Sequence, residues 1–180
     1  MADSKVVMVS GANRGIGLAV VTQLLGEGYR VSAGVRDPSK MPFPLMQEYS
    51  ETLAVFQYDA TEVDTTAVSS AQGWVTETVA RWGRVNAVVM CAGVWIQVPL
   101  LHADEADIDL MFDVNCKGPM RLARAVLRVL KENPDGRVVS LVSMSGKRVP
   151  GTSMGYSMSK FAQLALHQSI RNEGYNSGIR

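Results

Sequence analysis

Tyr156 and Lys160 are spaced i, i+4, which puts a phenol and an ammonium on one face of a helix. Ser143 closes an apolar run upstream of them, and Asn115 follows Asp113-Val114 inside a long helical stretch. A polar side chain is otherwise unfavourable there, so Asn115 asks for a use. Near the N-terminus, Ser10-Gly11-Ala12-Asn13-Arg14-Gly15-Ile16-Gly17 joins a Val-rich run to an amphipathic one. Glycines in such a loop allow a tight turn, a close backbone approach to a pyrophosphate and close helix–strand packing. The helix that follows offers free N–H groups and a partial positive charge to the phosphates. The spacing is Gly-x3-Gly-x-Gly rather than Gly-x-Gly-x-x-Gly, so its weight comes from its place between strand and helix.

A dinucleotide-binding loop implies a ribose reader about 20 residues further on, at the end of the second strand. That position falls on Arg36. A carboxylate there would bond the ribose hydroxyls and repel a 2′-phosphate, whereas a guanidinium attracts that phosphate in a bidentate way. Arg14, inside the loop, is a second cation placed to help. Asp37 competes for the role, but Asp37-Pro38 is also a common N-cap pair. The balance predicts NADP(H), with NAD(H) as the alternative. Asp59, after the third strand, either contacts the adenine edge or caps a turn near Thr61.

Alternating strand-like and helix-like segments must position these groups. Lys5–Ser10, Arg30–Val35, Leu53–Tyr58, Val85–Met90 and Arg137–Ser143 read as strands. Arg14–Glu27, Val63–Trp82, Ala106–Lys131 (bent near Gly118-Pro119) and Tyr156–Arg171 read as helices. The alternation predicts an α/β fold with a doubly wound parallel sheet of Rossmann type, strand order 3-2-1-4-5. Its ligand crevice lies beyond the carboxyl ends of strands 1 and 4, where the order reverses. Neither repeats nor a linker interrupt the 180 residues, which read as a single dinucleotide-binding and catalytic domain, residues 1–180.

Hydrophobic residues make up 47% and charged ones 19%, a composition that supports a folded core. The net charge of +1 offers no footprint for nucleic acid or an anionic membrane. Met1–Lys5 lacks the pattern of a secretory signal, and Val85–Leu101 is too interrupted to span a bilayer. With two cysteines, Cys91 and Cys116, a reducing cytoplasmic location is the simpler expectation. His102 and His167 lack metal-ligand spacing, so no metal is expected.

Gly11-x3-Gly15-x-Gly17, Cys91-Ala92-Gly93, Asn115, Ser143 and Tyr156-x3-Lys160 together resemble the short-chain dehydrogenase/reductase family. The resemblance runs in order along the whole chain. It implies hydride transfer between a nicotinamide cofactor and a carbonyl or secondary alcohol. Tyr156 would be the acid/base, and Ser143 would hold the substrate oxygen. Lys160 would bind the nicotinamide ribose and make the phenol more acidic, and Asn115 would support a water relay. Gly11, Asn13, Arg14, Gly15, Ile16, Gly17, Ala92 and Gly93 would line the cofactor site. Carbonyl reductases of the family similarly carry basic residues at the positions of Arg14 and Arg36.

The implied acid/base role is physically sound. A free phenol titrates near pH 10. A cation about 4 Å away, at an effective dielectric near 20, contributes roughly 4 kcal/mol, or about three pH units.

The chain departs from the family pattern at Met90-Cys91, where two amides usually stand, so the hydrogen bonds those amides make need another source. Cys91 reads as a small buried residue. Trp95, Met144, Val149, Met154 and Met158 read as pocket wall or core. Ala123, Val126 and Leu130, with Phe161, Leu164 and Gln168, read either as core or as the surface of the homodimer or homotetramer that the family forms.

Two other readings stand beside the enzyme: a non-catalytic NADP(H)-binding sensor or subunit, and an inactive fragment. Ser177-Gly178-Ile179-Arg180 resembles the turn and first residues of a sixth strand. Members of the family continue into strands 6 and 7, so the chain is expected to be C-terminally truncated, leaving strand 5 as an edge.

Overall fold

The computed structural model describes residues 4–133 and 135–180. Five apolar runs form strands: β1 (Val6–Ser10), β2 (Arg30–Val35), β3 (Leu53–Gln57), β4 (Ala87–Met90) and β5 (Arg137–Ser140). They make one parallel sheet in the order β3-β2-β1-β4-β5, as the alternation predicts. All five residues of β1 are buried, because a central parallel strand is covered on both faces. Successive side chains then feed two cores. Val7 and Val9 join Val21 and Leu25 of α1 (Gly15–Gly26) on one face. Met8 and Val88 join Trp74 of α3 (Ala71–Trp82) and Leu122 and Val126 of α5 (Gly118–Leu130) on the other.

The register makes the strand ends flush. Ser10 pairs with Gly34 and with Met90, and Met90 pairs with Ser140. The loops that follow therefore leave the sheet along one edge. Trp74 fixes part of this arrangement. Its ring lies so close to β2 that a Cβ on Gly34 would be 2.6 Å from it. Its Nε1 donates to Ser32 Oγ at 2.9 Å, and Ser32 shares a 2.7 Å hydrogen bond with Thr78.

Four sequence expectations shift. The third helix starts at Ala71 rather than Val63, because Asp59 and Asp64 fold the intervening residues into side-chain-capped turns and Ser70 caps Gly73 N–H. The long helix runs as α4 (Glu105–Phe112) and α5, joined by a π-helical turn over Asp113–Lys117. Pro119 has no N–H to give the preceding turn, and the wider turn absorbs that loss upstream of the bend expected at Gly118-Pro119. β5 stops at Ser140, so Ser143 lies beyond the strand. Ala123, Val126 and Leu130 lie in the core.

The remaining helices are the short α2 (Phe43–Glu48) and the long α6 (Met154–Tyr175). Past α6 the chain turns back to β5, where Arg180 N–H donates to Gly136 and Val138 N–H donates to Arg180. No described helix is long and apolar enough to cross a membrane.

Candidate active site

The loop after β1 depends on two glycines. Gly11 has φ +66°, a left-handed conformation that glycine adopts freely, and a side chain there would also strike Ala92. A Cβ on Gly17 would collide with the Gly11 carbonyl oxygen, so the first turn of α1 packs directly on the loop. No side chain caps the α1 N-terminus, and its first turn carries no acid. This is the arrangement a phosphate needs.

A cleft of about 660 Å³ opens along these residues and continues past Arg36 and Asp59 to Ala92 and Leu141. Asn13, Arg14, Gly15, Ile16 and Gly93 also line it, while Gly17 is buried beneath. Arg14, Arg36 and Lys40 bring positive charge to one end. Asp37 lines the same end of the cleft and also caps a short 3-10 turn, its Oδ1 accepting from Ser39 N–H at 3.0 Å and Ser39 O–H at 2.6 Å. Those bonds hold its carboxyl below the ordinary carboxylate range. Asp59 both lines the cleft and caps its turn, with Oδ1 accepting from Thr61 N–H and O–H, each at 2.8 Å.

The loop after β4 is held without the two amides of the family pattern. Ser10 Oγ accepts from Cys91 N–H and Ala92 N–H, each at 3.1 Å. Burial pushes the Cys91 thiol up to about 11, which fits a packing residue rather than a nucleophile. Asn115, wholly buried in the π turn, clamps the next residue: it accepts from Val94 N–H at 2.9 Å and donates to Val94 O at 2.8 Å. Its amide also donates to Ser159 Oγ at 3.0 Å, which ties this loop to α6. Gln97 reaches Thr152 at 3.0 Å, and Val98 forms a bridge with Ser153.

Those ties bring α6 to the cleft. Lys160 is 4% exposed, and its Nζ lies 5.6 Å from the centroid of the Tyr156 ring. Nζ donates to Leu141 O at 3.1 Å and to Gln163 Oε1 at 2.7 Å. A side chain on Gly93 would meet Asn115 Oδ1 at 3.3 Å and Lys160 Nζ at 3.9 Å, so the ammonium lies beside a residue that lines the cleft, while Tyr156, Lys160, Asn115 and Ser143 are not themselves among the lining residues. Burial brings Lys160 down to about 8.

Ser143 caps the 3-10 turn Met144–Gly146, and its Oγ accepts from Ser145 N–H at 3.1 Å. That turn rests on α6, since a Cβ on Gly146 would lie 2.9 Å from Lys160 O. Trp95, Met144, Val149 and Met158 are exposed rather than core. Among the described residues, no His, Cys, Asp or Glu group could hold a metal. Ser10, Leu141 and Gln163 were not legible as site residues, although a polar residue on the buried face of α6 was a signal for Gln163.

Comparisons with known proteins bear on the family and the fold. The short chain dehydrogenase family model matches residues 5–180. Agropine synthesis reductase of Rhizobium rhizogenes is 35% identical over 99% of this chain, which spans 40% of that protein. An uncharacterized oxidoreductase of Staphylococcus saprophyticus is 28% identical, with 99% of this chain covering 75% of it. A short-chain dehydrogenase from Streptomyces avermitilis superposes with a TM-score of 0.92 at 26% identity, over 100% of this chain and 64% of that one. An alcohol dehydrogenase from Thermococcus sibiricus, complexed with 5-hydroxy-NADP, gives 0.88 at 28% identity over 99% and 74%. With a matching family model over nearly its whole length and the family's fold in its structure, the chain belongs to the short-chain dehydrogenase family.

Proposed function

We propose that this chain is the cofactor-binding and catalytic part of an NADP(H)-dependent oxidoreductase acting on a carbonyl or secondary alcohol. The Tyr156–Lys160 pair carries the reading: a buried ammonium stands beside a phenol, next to Gly93 and Leu141, two residues that line the cleft. Gly11 to Gly17 and the α1 N-terminus would hold the pyrophosphate. Arg36 and Arg14 would take the 2′-phosphate, Asp59 the adenine edge, and Lys160 the nicotinamide ribose beside Ala92-Gly93. The nicotinamide, when bound, supplies the hydride chemistry. The Thermococcus sibiricus relative, with its 5-hydroxy-NADP, supports the choice of cofactor.

The chain's own residues handle the proton and the oxygen. Ser143 Oγ accepts from Ser145 N–H, which leaves its O–H to donate to a substrate oxygen. Tyr156 exchanges a proton with that oxygen at its phenolic oxygen. Asn115 has both amide hydrogens committed, to Val94 O and Ser159 Oγ, so it acts by holding the loop and α6 together.

A panel of ketones, aldehydes and quinones, with NADPH oxidation as the signal, tests the reading. The wild type turns over at least one class. Tyr156→Phe keeps NADPH affinity and loses about 10²–10⁴-fold in turnover. Near-native turnover in that variant sinks the mechanism. NADPH binding without turnover of any class favours the sensor instead.

A further inference from the structure

Tyr156, Lys160 and Gln163 fall at i, i+4 and i+7 of α6, one continuous stripe facing the sheet edge. Gln163 is 1% exposed, an unusual place for an amide unless both of its ends are satisfied. They are. Its Oε1 accepts from Lys160 Nζ at 2.7 Å, and its Nε2 donates to Ser140 Oγ at 3.0 Å. The ammonium only donates, so it fixes which end of the amide it faces, and Nε2 turns to Ser140, the last residue of β5. Leu141, the next residue, supplies the second acceptor, its backbone carbonyl at 3.1 Å. The ammonium is thus fastened by two neutral oxygens anchored to the end of one strand. Tyr156 on α6 is the titratable side chain beside it. The π turn presents Asn115, a neutral amide, and no acidic side chain pairs with Lys160 among the described residues.

We propose that Gln163 is a positioning residue for the reaction: by accepting from Lys160 Nζ while braced on Ser140, it holds the ammonium charged and aimed at the cleft. This rests on the reading of Tyr156 and Lys160 as the working pair. Two neutral acceptors stabilise a buried cation without neutralising it, so the lysine's full charge stays available to the phenol and to a ribose. A carboxylate in the same place would cancel that charge, and an apolar side chain would leave the ammonium short of a partner. The burial that lowers Lys160 to about 8 makes this acceptor matter near neutral pH, where the lysine would otherwise begin to lose its proton.

The test compares wild type, Gln163→Leu and Gln163→Glu by NMR of protein labelled with 13C-lysine. The Lys160 Cε signal is assigned by its loss in Lys160→Met, and its titration midpoint is followed without any cofactor. The midpoint falls by at least half a pH unit in Gln163→Leu and rises by at least as much in Gln163→Glu. With NADPH and a substrate, the high-pH limb of kcat/KM for the reduction moves in the same two directions. A packing role would shift neither in opposite senses. Gln163→Met, closer in shape to glutamine, replaces the leucine variant if that one does not fold. Midpoints unchanged in folded variants overturn the proposal, as does a kcat/KM limb that ignores a shifted midpoint. Failure of the Tyr156 reading would appear separately, as turnover retained by Tyr156→Phe.

Discussion

Lys160 shows how a single residue can set function against stability. Burial brings it down to about 8 from an ordinary 10.5. Between those values the unfolded chain binds more protons than the folded one, so this group makes stability rise with pH across that window. Below about pH 8 the full cost of burying the ammonium is present. Lys160→Met removes that cost but also takes a donor from Leu141 O and Gln163 Oε1. The net expectation at pH 7 is a gain of about 1–2 kcal/mol, read from urea unfolding, with turnover lost. The advantage shrinks as pH rises through 10, and a variant less stable than wild type at pH 7 contradicts the account. The i, i+4 spacing made Tyr156 and Lys160 legible in sequence. Gln163 was not, because a polar residue on a buried helix face signals that it has partners without naming them, and these come from a strand end and from the lysine.

At the scale of elements, the glycine loop and α1 work as one piece. A Cβ on Gly17 meets backbone, the Gly11 carbonyl oxygen, which cannot swing aside as a side chain would. Gly17→Ala therefore pushes α1 away from the loop. It costs about 1–3 kcal/mol in stability and at least tenfold in NADPH affinity. Gly26, at the far end of α1, has nothing within 4 Å of its would-be Cβ. Gly26→Ala is expected to leave NADPH affinity unchanged and to add about 0.4–1 kcal/mol. Thermal melts and fluorescence titration of both variants check the contrast, and equal losses of affinity in the two would refute it. The strands and α1 were readable from apolar runs and punctuating glycines. The start of α3, the end of β5 and the π turn were not. Asp59, Asp64 and Ser70 spend side-chain oxygens on turns that no periodicity records, and Pro119 transmits its missing N–H to the turn before it.

For the whole molecule, the order β3-β2-β1-β4-β5 makes the cleft a shared property of loops that follow all five strands. That order was legible, since strand–helix alternation and right-handed crossovers leave few topologies. The seating of α6 was less so, because Gly146, Asn115 and the pairing of Gln97 with Thr152 bring it to the cleft through contacts remote in sequence. A ligand that spans the cleft touches both ends of this assembly and adds its binding energy to the folded state alone. At a free concentration one hundred times Kd, the linkage is worth about 2.7 kcal/mol. For a chain of this size that amounts to roughly 5–10 °C in Tm. NADPH should produce that shift, and NADH, lacking the 2′-phosphate that Arg14 and Arg36 would hold, should produce a clearly smaller one at equal concentration. Raising the salt should narrow the gap, since both guanidinium groups are exposed at the cleft rim and their attraction is screened. Differential scanning fluorimetry with each nucleotide, at low and at high salt, decides the matter. A larger shift with NADH would assign the cofactor the other way and leave the cationic rim without its proposed use.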